Sequence, residues 1–152
     1  MKEFKVVPIR NGTVIDHIEC GMALKVLRII GVSGTNVQSP VSVLMHVPSS
    51  KTTFKDVVKV EDRELDTKEV DKIALISPRA TINIIRDFNV AEKFKVSLPD
   101  VVKGIVRCGN PSCITNLREP VEPEFTVESR NPPVLRCIYC DRILEDIAEH
   151  LQ

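Results

Sequence analysis

The chain has 152 residues, enough for one domain or two small ones, and 43% of them are hydrophobic. Aromatic residues make up only 4% and tryptophan is absent, so we expect cores built from Val, Ile and Leu. The 21 basic residues balance 21 acidic ones, which argues against a protein that tracks a nucleic-acid backbone. No stretch approaches the ~20 apolar residues of a membrane span, and the charged first ten residues do not resemble a signal peptide, so a cytoplasmic protein is expected.

Strand and helix patterns alternate in the first part of the chain. Strands are predicted at residues 4–9, with 12–15 as a continuation or turn, and at 41–47, 57–60, 81–85 and 90–96. A helix is predicted at residues 21–30, with Ala23, Leu24, Leu27 and Ile30 on its apolar face, and a capping box of Asp66 and Glu69 opens a second helix. The order β-α-β-β-α-β plus an edge strand predicts an α+β, ferredoxin-like sandwich with a mostly antiparallel sheet and two helices.

A short join divides the chain into two predicted domains. Residues 97–100 read Ser-Leu-Pro-Asp, and Pro99 interrupts any continuing helix or ladder. We therefore predict a first domain at 1–96, a linker at 97–100 and a second domain at 101–152. Extended runs at 104–107, 125–127 and 134–136 predict a small zinc-ribbon or rubredoxin-like β domain. A helix is expected at 141–151, with Ile143, Leu144, Ile147 and Leu151 facing inward.

Four cysteines in the second domain form a metal-ligand pattern: Cys108 and Cys113, then Cys137 and Cys140 after 23 residues. Two close pairs joined by a loop can enclose one tetrahedral ion, and four thiolates suit Zn²⁺. A shell filled with sulfur leaves no position for substrate, so one structural zinc is predicted. The alternative, two disulfides, requires an oxidising compartment.

The remaining residues offer little catalytic chemistry. Glycine-rich phosphate loops, G-x-S-x-G and H-E-x-x-H patterns do not occur, and a non-catalytic chain is expected. Cys20, at the head of an apolar segment, is interpreted as a small packing residue rather than a nucleophile, because the sequence suggests no histidine as its base. Arg10, His17, Lys59 and Lys93, near the ends of different strands, are candidates to hold a nucleotide's phosphates, although each alone is more often a solvated charge.

Several segments, taken in their order along the chain, together resemble the regulatory chain of aspartate carbamoyltransferase. They are GTVIDHI at 12–18, Pro-Ser-Ser at 48–50, KDVVK at 55–59, PRATIN at 78–83, Ser-Leu-Pro at 97–99 and the cysteine quartet. The resemblance implies an allosteric domain that binds CTP and ATP, and a zinc domain that docks on a catalytic chain. It also implies homodimers through the allosteric domain, three of which bridge two catalytic trimers in a dodecamer, and feedback regulation of pyrimidine biosynthesis.

The family's contact residues carry over to numbered positions of this chain. Backbone groups at Val6, Val7, Pro8 and Ile9, with Val14, are expected to meet the base. Asp16 and Lys59 are expected at the ribose, Lys59 also at the base, and His17 and Lys93 at the triphosphate. Asn83, Ile85, Phe88 and Val90 complete the implied pocket wall, and Asn110 is implied at the catalytic-chain interface. The alternative function is a stand-alone nucleotide-sensing zinc-ribbon adaptor without a catalytic partner.

Overall fold

The computed structural model describes residues 8–32, 38–50, 53–118 and 121–152. Its first part contains five strands and two helices: β1 (Gly12–Ile18), α1 (Ala23–Ile29), β2 (Val41–Pro48), β3 (Phe54–Glu61), α2 (Thr67–Ile76), β4 (Thr81–Arg86) and β5 (Asn89–Lys95). Its second part contains β6 (Val101–Lys103), β7 (Glu124–Arg130), β8 (Pro133–Cys137) and β9 (Ile143–Leu144), with 3₁₀ turns at Ile114–Asn116 and Ile147–His150. We call these parts the five-stranded unit and the four-cysteine unit.

The five-stranded unit has the sheet order β2-β3-β1-β4-β5, and all neighbouring strands are antiparallel. The first four strands with α1 and α2 form the predicted β-α-β-β-α-β plan, and β5 adds the edge strand. The predicted α+β fold class is thereby confirmed. The strand expected at residues 4–9 falls largely outside the described residues, and β1 instead covers the whole GTVIDHI segment.

The capping box of α2 is confirmed. The Asp66 carboxylate accepts the Glu69 N–H at 2.8 Å, and the Glu69 carboxylate accepts the Asp66 N–H at 3.2 Å. These two bonds satisfy donors that the first turn of a helix leaves open. Arg63 then bonds both Glu69 and the Ile30 carbonyl, so the start of α2 is tied to the end of α1.

The predicted apolar face of α1 is partly wrong. Leu24 is 62% exposed, whereas Val26, which was not assigned to that face, is fully buried. The helix begins at Ala23 rather than at residue 21, and its buried stripe follows Ala23, Val26 and Ile30 at the i, i+3, i+7 spacing. Leu24 lies on the outer side of that stripe.

The four-cysteine unit is a sheet of order β6-β7-β8-β9. The helix expected at 141–151 is wrong: a two-residue strand and a 3₁₀ turn occupy this segment. Leu144 pairs with Leu135 and is buried, while Ile143 pairs with Arg136 and is 39% exposed, because neighbouring strand residues face opposite sides. The extended run predicted at 104–107 is not the first strand of this unit. That strand is β6, which lies at Val101–Lys103 and is followed by Gly104 with φ 76°.

One continuous apolar core joins the two units. Buried Ile73 of α2 belongs to the same cluster as Leu98, Val106 and Ile147. Polar contacts reinforce this seam, since Lys25 on α1 meets Glu149 at 3.3 Å and Lys72 on α2 bonds the carbonyl of Gln152. Arg130 on β7 bonds the Leu98 carbonyl and Asp100, so the predicted linker is fastened to the four-cysteine unit.

Candidate metal centre and the open face of the sheet

The four cysteines predicted as metal ligands come together at one point. Their sulfur atoms all lie within 4.8 Å of one another. The Cys108 and Cys140 sulfurs are 3.6 Å apart, and those of Cys113 and Cys137 are 3.7 Å apart. Four sulfurs placed about 2.3 Å from one ion in a tetrahedron lie about 3.8 Å from each other. The thiols are free rather than paired in disulfides, and their spacing fits a single tetrahedral ion.

Tight turns aim the sulfurs inward. The Asn110 N–H points at the Cys108 sulfur at 3.5 Å, and the Thr115 hydroxyl points at the Cys113 sulfur at 3.2 Å. Asn116 donates its side-chain amide to the carbonyls of Cys108 and Asn110 at 2.8 and 2.6 Å, which holds the first turn closed. Donors directed at sulfur are the arrangement that stabilises thiolates.

The protonation of these thiols shows what an ion would change. Burial raises the pKa of Cys108 to about 12 and also raises the pKa of Cys137. Burial acts in the same direction on Cys140, but bonds from the Arg142 N–H, the Asn110 side chain and neighbouring thiols lower its pKa to about 7. A dication among the sulfurs supplies the charge that burial otherwise denies the thiolates.

The second turn carries aromatic and apolar side chains at its surface. Tyr139 lies between Cys137 and Cys140 in sequence and is 44% exposed, and Ile138 beside it is similarly exposed. Ile114 and Leu117 after Cys113 are exposed as well. Asn110, the implied interface residue, lies in the turn between Cys108 and Cys113, far along the chain from the implied nucleotide residues.

The other predicted residues meet on one face of the five-stranded sheet. Strand register places Lys59, Val14, Asn83 and Lys93 side by side across β3, β1, β4 and β5. The adjacent row, Val58, Ile15, Ile82 and Phe94, faces the opposite side, where the first three are buried in the core. We call the side that bears Lys59 and Lys93 the open face.

A charged cluster lies at the next position along β1. The Asp16 carboxylate is 2.8 Å from the Lys55 ammonium and 2.7 Å from the His17 N–H, and the His17 ring lies 3.3 Å from the Thr81 hydroxyl. Burial would raise the pKa of Asp16, but these hydrogen bonds and the charges of Lys55 and His17 hold it below its usual value. Burial lowers the pKa of Lys59, and the charge of Asp16 opposes that shift.

The apolar residues implied at the pocket wall and the segment implied at the base lie at the other end of the open face. Ile85 pairs with Val90, and Phe88, in the turn between β4 and β5, is 65% exposed at φ 66°. Ile9 is buried just before β1, while Pro8 is exposed. Val6 and Val7 lie outside the described residues.

Sequence reasoning missed three polar residues of this face. Lys55 contacts Asp16, and the register places Thr81 and Lys95 in one row with Asp16. A signal for both lysines was present, because Lys55 is four residues from Lys59 and Lys95 is two from Lys93. Even spacing along a strand puts side chains on the same face.

The interpretation of Cys20 as a packing residue is wrong. The residue is exposed, and its sulfur lies 2.9 Å from Nδ1 of His46, which is 26 residues away in sequence. No local pattern predicts such a pair, because the fold alone brings β2 beside the segment that follows β1.

Comparison with known proteins agrees with this arrangement. The fold and the cysteine cluster define an α+β chain with a C-terminal metal-binding unit. Two family models match it in succession: "Aspartate carbamoyltransferase regulatory chain, allosteric domain" at residues 4–97, and the metal binding domain of the same chain at residues 100–148.

Curated relatives carry the same description. Aspartate carbamoyltransferase regulatory chains from Methanothrix thermoacetophila, Thermoplasma volcanium and Pyrococcus abyssi are 62%, 54% and 53% identical to this chain. The alignments cover 99%, 95% and 96% of this chain and 97%, 95% and 95% of the relatives. The chain belongs to the family of aspartate carbamoyltransferase regulatory chains, and it is a regulatory rather than a catalytic subunit.

Among the described residues, the helices are all too short or too polar to cross a membrane.

Proposed function

We propose that this regulatory subunit binds CTP and ATP on its open face and relays feedback in pyrimidine biosynthesis to the catalytic chain of aspartate carbamoyltransferase. The observation that carries the proposal is the row of Lys59, Val14, Asn83 and Lys93 across four strands, with Asp16 and His17 beside it. Such a face offers cations for phosphates, a carboxylate for ribose hydroxyls and an apolar end for a base.

The polarity of the open face suggests how a nucleoside triphosphate would lie. Ile85, Phe88 and Val90, with backbone groups near Ile9 and Val14, would contact the base at the apolar end. Asp16 and Lys59 would bind the ribose. His17 and Lys93 would bind the phosphates, and Lys55 and Lys95, which lie toward the same end, would add to the positive charge there.

We propose that the cysteine cluster holds one structural Zn²⁺ with Cys108, Cys113, Cys137 and Cys140 as ligands. The ion would balance the thiolates and fasten the turns on which Asn110 meets the catalytic chain. The spacing of the sulfurs and the all-sulfur donor set support zinc over harder cations. Reduced thiols of this kind fit the cytoplasm, where we place the protein.

The proposed domains are 1–96 for effector binding and 101–152 for docking, with 97–100 between them. Two copies would pair through the first domain, and three such pairs would join two catalytic trimers. The resemblance carries this stoichiometry, and the exposed outer strands β2 and β5 leave sheet edges at which a second copy can pack. The stand-alone adaptor has no specific observation in its favour.

Nucleotide titration of matched variants tests the binding face. Lys93→Ala should weaken CTP binding ten- to a hundredfold but leave cytidine binding unchanged, since a charge-assisted bond is worth about 1.5–3 kcal/mol. Lys59→Ala should weaken both ligands. Lys103→Ala, which removes an exposed lysine from the four-cysteine unit, is the control. Equal losses for CTP and cytidine in Lys93→Ala would contradict the phosphate assignment.

Reconstitution tests the regulatory role. The zinc-loaded chain mixed with catalytic trimers should form a larger complex in sedimentation, and CTP should then shift the aspartate saturation curve. A complex whose saturation curve ignores both CTP and ATP would reject nucleotide regulation, while failure to form a complex would reject the partnership.

A further inference from the structure

A cavity of about 470 Å³ lies where the sheet end of the five-stranded unit meets the β7–β8 turn of the four-cysteine unit. Its wall includes the Cys20 thiol and the Phe54 ring, with His17, Arg79 and Lys95 contributing basic groups and Glu19 an acidic one. Asn131 closes the cavity from the β7–β8 turn. A reactive side chain and an excess of positive charge therefore share one accessible space.

The Cys20 thiol is paired with a base. Its sulfur lies 2.9 Å from Nδ1 of His46, within reach for direct proton transfer. The His46 imidazole stacks on the Phe54 ring, with centroids 4.0 Å apart and an angle of 13° between planes. This contact fixes the orientation of the imidazole with respect to the sulfur.

A buried carboxylate places both members of the pair. One Asp56 oxygen accepts the N–H groups of Gly21 and Ala23 at 3.0 and 3.1 Å, and the other accepts the His46 N–H at 2.8 Å. Asp56 is fully buried, so these bonds hold the segment after β1 against the bulge of β2. The positions of Cys20 and His46 are consequently set by the fold rather than by chance contact of two surface side chains.

Metal binding does not account for the pair. Among the described residues, the cysteine quartet is the one group of three or more potential ligands close enough to share an ion. A thiol beside an imidazole, without a third ligand, is instead the arrangement of an activated nucleophile.

We propose that Cys20 is a covalent modification site for small anionic electrophiles, with His46 as its base and Arg79 and Lys95 as the groups that favour anions. In alkylation by a haloacetate, sulfur forms a bond to the methylene carbon and the halide leaves with the bonding electron pair. The thiol proton passes to Nδ1 of His46 and then to solvent. A small acidic disulfide reacts in the same way: sulfur attacks one sulfur of the disulfide, and the other leaves as a thiolate.

Alkylation by a charged and an uncharged reagent measures the preference of Cys20 for anions. The full zinc-loaded chain is treated near neutral pH with iodoacetate or iodoacetamide, and adduct formation on the Cys20 peptide is followed by mass spectrometry. Iodoacetate differs from iodoacetamide by its negative charge. Arg79→Gln should slow iodoacetate about threefold relative to iodoacetamide, whereas Lys103→Ala should leave this ratio unchanged. An unchanged ratio in Arg79→Gln would overturn the selection of anions.

Removal of the base provides the second measurement. His46→Ala and His46→Asn should each slow both reagents about tenfold near neutral pH. This is less than a positioned base usually contributes, because a few per cent of an ordinary thiol is already ionised there. At about pH 9.5, where ordinary thiols ionise without help, the variants should react as fast as the parent chain. An unchanged circular dichroism spectrum shows that the variants remain folded. Cys20→Ser supplies the blank. Rates that are independent of His46 near neutral pH, or that differ equally at both pH values, would overturn the proposal.

Discussion

The two units are stabilised by different means. In the five-stranded unit, two helices pack on one face of the sheet. Large residues such as Ile15, Ile73 and Ile82 are fully buried between them. In the four-cysteine unit, the large fully buried side chains are Phe125 and Leu135, together with Val102 and Val106 next to the other unit. Its buried cysteines occupy much of the remaining centre. Where the apolar core is small, ligand bonds must supply what packing does not.

The units nevertheless share one core and are not independent bodies. Leu98, Val106 and Ile147 pack into the same cluster as the helices, and Arg130 fastens the segment between the two sheets. We therefore expect damage to either unit to weaken the seam, but to spare most of the other sheet. Four substitutions test this expectation, and their predicted effects decrease from loss of a metal ligand to loss of a surface ion pair.

Loss of the metal ligands should break the four-cysteine unit. Cys137→Ser, or removal of the ion with a chelator, should unfold this unit, because structural zinc contributes about 10–16 kcal/mol in small zinc domains. Amide hydrogen exchange should show β6 to β9 unprotected while β1, β3 and β4 stay protected. Cys20→Ser, a cysteine change outside the cluster, should leave both patterns intact. Persistent protection of β7 and β8 after metal loss would show that packing alone holds the unit.

Gly12→Ala should break the five-stranded unit instead. Gly12 has φ 143°, and a Cβ there would lie 2.2 Å from the Val60 carbonyl oxygen of the neighbouring strand. Strain and overpacking together should cost about 3 kcal/mol, measured by denaturant unfolding. Gly21→Ala is the matched control, because Gly21 also has a positive φ of 94° but faces open space. Equal losses at the two positions would assign the whole effect to backbone strain.

Asp66→Ala should weaken the five-stranded unit locally. It removes the acceptor of the Glu69 N–H at the start of α2, a change that costs about 1 kcal/mol at helix N-caps. Hydrogen exchange in the first turn of α2 should rise more than in β4. Asp66→Asn, which keeps an acceptor oxygen, should recover most of the lost stability. If Asp66→Asn were as destabilised as Asp66→Ala, loss of the cap would be excluded as the cause.

Lys55→Met should produce the smallest effect, and that effect should depend on pH. The pKa of Asp16 is lower in the folded chain than its ordinary value, so its ionised form stabilises the fold above the unfolded pKa near 3.8. That contribution disappears as the pH falls through the folded pKa. Lys55→Met removes part of it, and should cost less than about 1 kcal/mol near neutral pH and nothing in strong acid. A difference of constant size across this range would indicate lost packing of the lysine stem.

Features that depend on residues close together in sequence could be predicted from the sequence. Asp66 and Glu69 are three residues apart, and each close pair of cysteines lies on one turn, so local spacing suffices to predict both features. Val14 and Asn83 were assigned to one site only through the family resemblance, because their pairing depends on the strand order. Leu24 was misassigned because it lies about 100° around the helix from Ala23, outside the narrow stripe that Ala23, Val26 and Ile30 form.

Features that depend on contacts between distant segments could not be predicted from the sequence. Cys20 and His46 meet because Asp56 binds both of their segments. Hydrophobic periodicity cannot predict that this carboxylate accepts three backbone N–H groups. The end of the chain looked helical because Leu144, Ile147 and Leu151 are spaced about one turn apart. Pairing of Leu144 with Leu135, and of Leu151 with Val106, outweighs the weak helical preference of such a short segment.

Tyr139 gives the four-cysteine unit an optical label of its own. The chain contains one tyrosine and no tryptophan, and that tyrosine lies between two of the clustered cysteines. Tyrosine emission of the purified chain therefore originates in this unit and not in the sheet that carries Lys59 and Lys93. Metal loading of the purified chain can be followed by this emission while nucleotide is titrated at low absorbance, without attaching a dye.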